Sequence, residues 1–370
     1  LPVSPELAVI VPTFNEQANV EEVVCRVAAA LEGVAWELIF VDDDSPDGTA
    51  ALVRRLSRRD PRVRVLRRVR RRGLSSACVE GMLASSAPFL AVMDADLQHD
   101  ERILPQMLAA VRDGGLDVAV GSRHVAGGSM GGWSRDRRIV SRAATGLSRL
   151  VLKAELHDPM SGFFLLRREL LDEVVYDLSG IGFKILVDIF ASAKRPLRFR
   201  EIPYGFRARH AGESKLDGVV AWEYLMMLLD KSLGRYIPVR FIPFALIGGV
   251  GVFVHMAVLW LVFLVLGRSF FAGQTAATLV AMTTNFLMNN LFTYRDRRLR
   301  GRDLIRGWAS FTLACSVGAV ANVGIATYLF ESRWLGDLGW VLSATAGIVV
   351  GAVWNYAVTS VYTWNRPRAA

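Results

Sequence analysis

The sequence predicts two joined domains of different kind. Residues 1–215 read as an α/β domain on a Rossmann-like sheet, 216–240 as an interfacial linker helix, and 241–370 as an all-α domain of four transmembrane helices. Three observations carry this. Short apolar strands alternate with amphipathic helices in the first part. Acidic clusters stand at the ends of two of those strands. After about residue 235 come four long stretches almost free of charge. The apolar content of 52% and the mean hydropathy of +0.31 are high for a wholly soluble chain, and the excess sits in those four stretches.

Leu7–Val11 is a continuous apolar strand, Pro12–Glu16 a loop, and Ala18–Leu31 an amphipathic helix. Trp36–Val41 is the second strand, Thr49–Arg59 the second helix, and Val63–Leu66 the third strand. Strand–helix–strand spacing of this kind implies a parallel sheet with right-handed crossovers. In such sheets ligands bind beyond the carboxyl ends of the strands. The acidic clusters after Val41 and after Met93 both fall there and are expected to face one pocket.

The first cluster is Asp42-Asp43-Asp44-Ser45-Pro46-Asp47-Gly48. Its acceptors suit base amino groups and ribose hydroxyls, and its composition also suits an Asx turn and a helix N-cap. The two readings are compatible if Asp47 caps and Asp43 binds. The second cluster follows the strand Phe89–Met93. In extended chain the side-chain period is two, so Asp94, Asp96 and Gln98 are expected on one side. Three oxygen-bearing side chains suit a hard cation: Mg²⁺ takes one or two carboxylates and lets phosphates and water complete its shell. A solvated loop is the alternative.

Arg67–Arg72 reads as a basic edge strand before Gly73-Leu74. Arg123 ends the strand Asp117–Val120, and an arginine fork suits phosphate. Arg137 and Ser141 lie in a basic amphipathic helix that begins near Trp133 and suits a membrane surface. Arg209 and Lys215, in a loop with Gly212, suggest a phosphate clamp, or a solvated lid that orders on binding.

Pro12-Thr-Phe-Asn-Glu16, Val41-Asp-Asp-Asp-Ser-Pro-Asp-Gly-Thr49, Asp94-Ala-Asp-Leu-Gln-His99 and Gly121-Ser-Arg123 occur in order with fitting spacing. On these motifs the chain resembles the family 2 glycosyltransferases of GT-A fold. More narrowly, it is similar to the polyprenol-phosphate mannose synthases, the dolichol-phosphate mannosyltransferase group, over about residues 7–220. The resemblance implies a mixed GT-A sheet and a set of roles. Pro12, Phe14 and Glu16 would line the nucleotide pocket, with Val41 and Asp43 on the base and ribose. Asp94, Ala95, Asp96 and Gln98 would meet the donor diphosphate, with Asp94, Asp96 and Gln98 around Mg²⁺ or Mn²⁺. Arg209 and Lys215 would clamp donor phosphates, and Arg123, Arg137 and Ser141 would meet the acceptor phosphate. The catalytic set would be Asp94, Asp96, Arg123, Arg209 and Lys215. The implied partners are GDP-mannose and a polyprenyl or dolichyl monophosphate. Asp158–Phe163 and Gly182–Asp188 also match, but Asp188 stands where relatives commonly carry Glu. Asp100 and His124 likewise replace an expected Pro and Tyr.

The expected spans are 241–266, 270–292, 307–330 and 338–364, each long enough to cross the hydrocarbon core. Tyr294–Arg306 carries six arginines against two aspartates, whereas 267–269 and 331–337 hold few cations. The positive-inside rule therefore puts the catalytic domain, this loop and the C-terminus in the cytoplasm. The net charge of +9 then reads as arginine facing anionic lipid, and no aromatic RNA-binding signature points to nucleic acid. Three separated cysteines indicate neither a disulfide frame nor a zinc site. No secretory leader is expected.

At a gapless offset of seventy, Asn285–Tyr294 aligns with Asn355–Trp364, Phe241 with Phe311, and Gly248 with Gly318. This is read as two tandem helix pairs, similar to the GtrA-like membrane domain. Asn285, Asn289, Asn290, Asn322 and Asn355 are expected to bond across helices, and self-association through this domain is compatible with the pattern. Two rival functions keep the architecture. One is transfer from UDP-glucose or another UDP-sugar; the other is a flippase for polyprenyl-phospho-sugars, against which the spans lack ionisable residues.

Overall fold

The computed structural model describes residues 4–71, 73–129, 154–179, 184–207, 240–294, 297–331 and 339–364, with further positions at 146, 152, 224, 226–229, 231 and 238. It divides into two compact units, Leu1–Arg235 and Tyr236–Ala370.

The first unit runs β1 (Leu7–Thr13), α1 (Gln17–Ala30), β2 (Trp36–Asp42), α2 (Thr49–Ser57), β3 (Val63–Arg67), α3 (Leu74–Leu83), β4 (Phe89–Val92), α4 (Leu104–Arg112), β5 (Val118–Ser122), β6 (Phe164–Arg167), α5 (Arg168–Val174), α6 (Ile185–Ser192) and β7 (Phe199–Pro203). These form a seven-stranded sheet in the order β3-β2-β1-β4-β6-β5-β7. The neighbours β3, β2, β1 and β4 pair in parallel, as the alternating pattern requires. The exception is β6, antiparallel to both β4 and β5, while β5 runs parallel to β7. The sheet is therefore mixed, as the family resemblance implies and the helix–strand alternation does not. The reversal has a consequence for the site: residues 158–163 enter β6 at the edge where the other strands end.

Strand parity divides the core into two layers. Ala8, Ile10, Ile39 and Val41 face one side with Ala77, Cys78 and Met82 of α3 and Ile185, Leu186 and Ile189 of α6. Leu7, Val9, Leu38 and Phe40 face the other with Val20, Val23 and Val27 of α1 and Leu104, Met107 and Leu108 of α4. Helix α3 lies close on the sheet because position 81 is glycine. A Cβ there would come within 2.5 Å of Ile10 and 2.7 Å of Val41 side-chain carbons.

The linker departs from expectation. Tyr224, Met226, Met227 and Leu228 are buried, and Tyr224, Met227 and Leu228 join the core layer that contains α6. Their composition suggests a helix lying on a bilayer. They instead complete the first unit, which has a hydrophobic face there to cover.

The second unit contains α7 (Phe241–Leu259), α8 (Phe270–Met288), α9 (Arg302–Glu331) and α10 (Gly339–Tyr362), with wide π-turns at Trp260–Val265 and Asn289–Thr293. The four helices fall on the four expected spans, although α9 begins earlier, at Arg302. Among the described residues, Phe241–Val265 is long and apolar enough to cross a membrane.

The repeat is present with a changed register. Equivalent rings Tyr294 and Trp364 stack on each other, centroids 4.1 Å apart and planes at 5°. In the first helix of each pair, however, the corresponding positions lie 67 residues apart (251 to 318, 244 to 311). Gly251 faces Asn285 as Gly318 faces Asn355, and Phe244 and Phe311 are both buried. A Cβ added at Gly248 would meet nothing within 4 Å, so this glycine is not the counterpart of Gly318. A three-residue shift is close to one helical turn of 3.6 residues, so both offsets present the same apolar face.

Of the asparagines, Asn290 bonds across the unit: its Oδ1 accepts from Trp364 Nε1 at 3.2 Å and from the Leu299 N–H at 2.8 Å. Asn289 bonds within its own helix, to the Asn285 carbonyl at 2.9 Å. The Oδ1 atoms of Asn285 and Asn355 have no hydrogen-bond partner among the described residues and sit against the glycines. The Asn322 side chain lies outside the described residues.

Candidate active site

The β1 and β2 loops are stitched together by short polar side chains. Asp42 accepts from the Ser45 N–H at 3.0 Å and the Ser45 hydroxyl at 2.5 Å, and Ser45 Oγ accepts from the Asn15 N–H at 3.0 Å. Asp47 accepts from the N–H groups of Gln17 at 3.1 Å and Thr49 at 2.9 Å, so it serves the first turns of both α1 and α2. Asn15 and Asp44 take φ of 60° and 59°, a left-handed conformation that Asn and Asp tolerate better than most residues.

Asp43 is buried. Its Oδ1 accepts from Arg68 Nη1 at 2.9 Å and its Oδ2 from the Gly73 N–H at 2.8 Å. Arg68 also donates to the Gly73 carbonyl at 3.0 Å and to Ser76 Oγ at 2.6 Å. Burial raises the Asp43 carboxyl above its ordinary value, and the Gly73 N–H and Arg68 oppose that rise. Each carboxylate oxygen keeps a second lone pair, so Asp43 can still accept from a base or a ribose.

Arg68 is the residue that sequence reasoning missed. The sequence places it within a solvated basic edge, yet its side chain is only 3% exposed. Arg67, beside it, does pair with Asp44 at the surface. The available signal was parity: Leu66 packs inward against α3 and its neighbours, and position 68 follows on the same face.

Val41, expected on the base and ribose, is placed differently. Its side chain is fully buried in the core against α3, and its carbonyl takes the Thr13 hydroxyl at 3.3 Å. Pro12 is buried as well, whereas Phe14 is half-buried and Glu16 lies nearby at the loop.

The second cluster is a turn, not extended strand. Strand β4 stops at Val92, and Leu97 has φ of 62°. The period-two argument therefore does not apply, and the three residues share one turn. Asp96 Oδ1 accepts the Gln98 N–H at 3.2 Å. Gln98 Nε2 donates to the Arg207 carbonyl at 3.1 Å, and the Arg207 N–H returns a bond to the Gln98 carbonyl at 3.0 Å. The side chain of Asp94 is 38% exposed, while Asp96 and Gln98 are each 7% exposed. Gly162 lies beside Asp94; a Cβ there would come 3.2 Å from its Oδ2.

These residues fit a hard divalent cation. They offer two carboxylates and an amide oxygen on one turn. Among the described residues no group of three or more His, Cys, Asp or Glu could hold a metal by itself. A cation held here would need diphosphate and water to complete its shell.

His99 supports the turn from behind. Its Nδ1 accepts the Asp94 N–H at 3.1 Å, and its ring stacks on Phe163 at 5.0 Å, with Tyr204 and Phe206 edge-on. Burial lowers its pKa to about 4, so the imidazole is neutral near pH 7. With Nδ1 accepting, the proton resides on Nε2.

Arg123 is at the expected strand end, but its fork is engaged. Its Nε and Nη2 each donate to Asp158 at 2.7 Å, and its N–H donates to Asp158 Oδ2 at 3.0 Å. Asp158 is fully buried and is itself held by Glu201, which accepts the Asp158 N–H at 2.9 Å. The Nε–Nη2 edge is therefore not available as a phosphate fork; the guanidinium acts at this rim as a fixed charge over Phe206, 5.3 Å away. Asp100 pairs with Arg102 and Arg207, so the departure from Pro at that position is a structural ion-pair site. Arg137, Ser141, Arg209 and Lys215 lie outside the described residues.

Residues 8–175 match the glycosyl transferase family 2 domain, and residues 243–364 match the GtrA/DPMS transmembrane domain. A dolichol-phosphate mannosyltransferase of Pyrococcus furiosus is 35% identical over 97% of this chain and 99% of its own. The chain belongs to the dolichol-phosphate mannosyltransferase family. It is thus a glycosyltransferase, and the matched transmembrane domain makes it membrane-associated. Two further relatives match a shorter part of the chain. The dolichol-phosphate mannosyltransferase of Saccharomyces cerevisiae is 35% identical over 63% of this chain and 89% of its own. The polyprenol monophosphomannose synthase of Mycolicibacterium smegmatis is 37% identical over 57% and 80%. Among solved structures, glucosyl-3-phosphoglycerate synthase of Mycobacterium tuberculosis is 21% identical over 61% of this chain and 80% of its own, with a TM-score of 0.47.

Proposed function

We propose that this family member transfers mannose from GDP-mannose to a polyprenyl monophosphate of dolichyl or undecaprenyl type. The observation that carries the reading is the convergence of two clusters at one sheet edge. The Asp43–Arg68–Gly73 cluster lies beyond β2 and the Asp94–Asp96–Gln98 turn beyond β4, on either side of β1, at the point where strand order reverses. The first suits a nucleoside and the second a diphosphate.

Asp94, Asp96 and Gln98 would hold Mg²⁺ or Mn²⁺, which when bound supplies charge neutralisation for the leaving diphosphate. Phe14 and Glu16 would border the nucleotide, and Asp43 would accept from base or ribose. Arg209 and Lys215 would clamp the donor phosphates. Arg137 and Ser141 would receive the acceptor phosphate, with Arg123 supplying a fixed positive field. The acceptor needs no dedicated base. A phosphate monoester has its second pKa near ~6, so its oxygen is already ionised. That oxygen forms the new bond to the anomeric carbon as the bond to the nucleoside diphosphate breaks, with inversion. The membrane domain would span the bilayer four times, with the catalytic domain on the cytoplasmic face.

Transfer of radiolabelled sugar into polyprenyl phosphate tests the reading, comparing GDP-mannose with UDP-glucose under Mg²⁺, Mn²⁺ or EDTA. Mannolipid formed only with metal is expected. Glucolipid would replace the donor assignment, and product in EDTA would remove the metal.

A further inference from the structure

Helix α6 joins the linker to the rim of the active site. At one end, Lys231 Nζ lies 2.7 Å from Asp188 Oδ1 and donates to Ser192 Oγ at 2.8 Å and to the Asp177 carbonyl at 2.5 Å. An ammonium has three donors, and all three are satisfied. Asp188 is fully buried, the Lys231 side chain is 9% exposed, and Asp188 Oδ2 also accepts from Ser179 N–H at 3.0 Å and Ser179 Oγ at 2.7 Å. At the other end, Lys184 donates to the Met160 carbonyl at 3.2 Å. Met160 lies in the segment where Asp158 holds Arg123. The linker side chains Tyr224, Met227 and Leu228 pack in the same core layer as Ile185, Leu186 and Ile189.

We propose that Asp188 and Lys231 are positioning residues for transfer to the acceptor. Their buried pair sets the register of α6 against the segment leading into the membrane, and α6 in turn sets the 158–163 rim. A buried ion pair adds little net stability over a well-packed apolar pair, and its best-attested use is to specify register. The donor-side cluster of Asp43 and Arg68 lies outside this path and is expected to be insensitive to it. Asp188 stands where the resemblance leads one to expect Glu, and Lys231 Nζ fits the shorter side chain.

The test uses the full-length protein in membranes, with polyprenyl phosphate and GDP-mannose varied separately. Lys231→Met is expected to lower kcat/KM for polyprenyl phosphate about tenfold, less than the roughly hundredfold that a full 1 Å misplacement can cost, and to leave KM for GDP-mannose unchanged. The double variant Asp188→Asn/Lys231→Met, with no stranded charge, is expected to recover most of that loss. Equal losses for both substrates, additive losses in the double variant, or no loss would each overturn the proposal. Should Lys231→Met not accumulate, Lys231→Arg is read by the same split. The proposal rests on the transfer reaction above, so a second readout separates the two. If the wild type uses neither substrate, the transfer reading fails. Hydrogen exchange at 158–163 still decides the positioning claim: faster exchange in the variant supports it, and unchanged exchange refutes it.

Discussion

Asp158→Asn removes one charge from the most completely buried ion pair of the site and keeps its size. In the wild type, Asp158 is 0% and Arg123 7% exposed, with three charge-assisted bonds between them. The amide can still accept from Arg123 but cannot neutralise it, and the guanidinium edge is closed to solvent. Stranding one partner of a buried pair typically costs about 3–5 kcal/mol. For a catalytic unit of this size, a loss of that order lowers the unfolding midpoint by roughly 6–20 °C. The pH dependence has a definite sign. Burial acts to raise the Asp158 carboxyl, but the hydrogen bonds and charge of Arg123 outweigh it and hold the group below its ordinary 3.8. A carboxylate depressed in the folded state contributes stability above its unfolded pKa and loses it as pH falls through the folded value. The gap between wild type and variant is therefore expected to be full at pH 7 and to close on acidification below about 4. Thermal unfolding of the purified protein across pH 2–8 measures this, with Asp158→Asn/Arg123→Met as the control that removes both charges. A midpoint within 2 °C of wild type at pH 7 would show that the pair is not desolvated in solution. A gap that persists undiminished at pH 2 would refute the electrostatic account.

Arg68→Met is expected to weaken GDP binding by about tenfold or more, about 1.4 kcal/mol, with KM for polyprenyl phosphate unaffected; calorimetric titration with GDP reads the first and transfer kinetics the second. Asp96→Ala is expected to abolish metal-dependent turnover while circular dichroism stays that of the wild type, and near-normal turnover would remove the metal assignment. Gly318→Ala and Gly251→Ala are each expected to destabilise the membrane domain by about 1–3 kcal/mol, because a Cβ would overlap the side chains of Asn355 and Asn285, whereas Gly248→Ala meets nothing within 4 Å and is expected to be silent. Equal behaviour of Gly248 and Gly318 in a thermal-stability assay would restore the gapless repeat.

The elements that the sequence alone determined are those with a local cause. Apolar runs ending in Thr13, Asp42 and Val92, helices with one apolar face, and charge-free stretches on which α7 to α10 fall are written in periodicities of two and 3.6 residues, and those periods are short-range. The places of Asp43 and Asp94 just beyond β2 and β4 were legible for the same reason. What tertiary structure decided are the pairings between distant segments. Parity could have turned Arg68 inward, but only the fold gives it Asp43 as a partner. Nothing near Arg123 announces that Asp158 will occupy its fork, because β6 must first reverse and carry residue 158 to that edge. The apolar linker side chains at 224–228 suit a bilayer and a protein core equally well by composition, and the uncovered face beside α6 selects the core. The two repeat offsets differ by about one helical turn, so hydrophobicity cannot distinguish them. The contact between Gly318 and Asn355 can, because close packing discriminates at a fraction of an ångström what burial averages over a whole face.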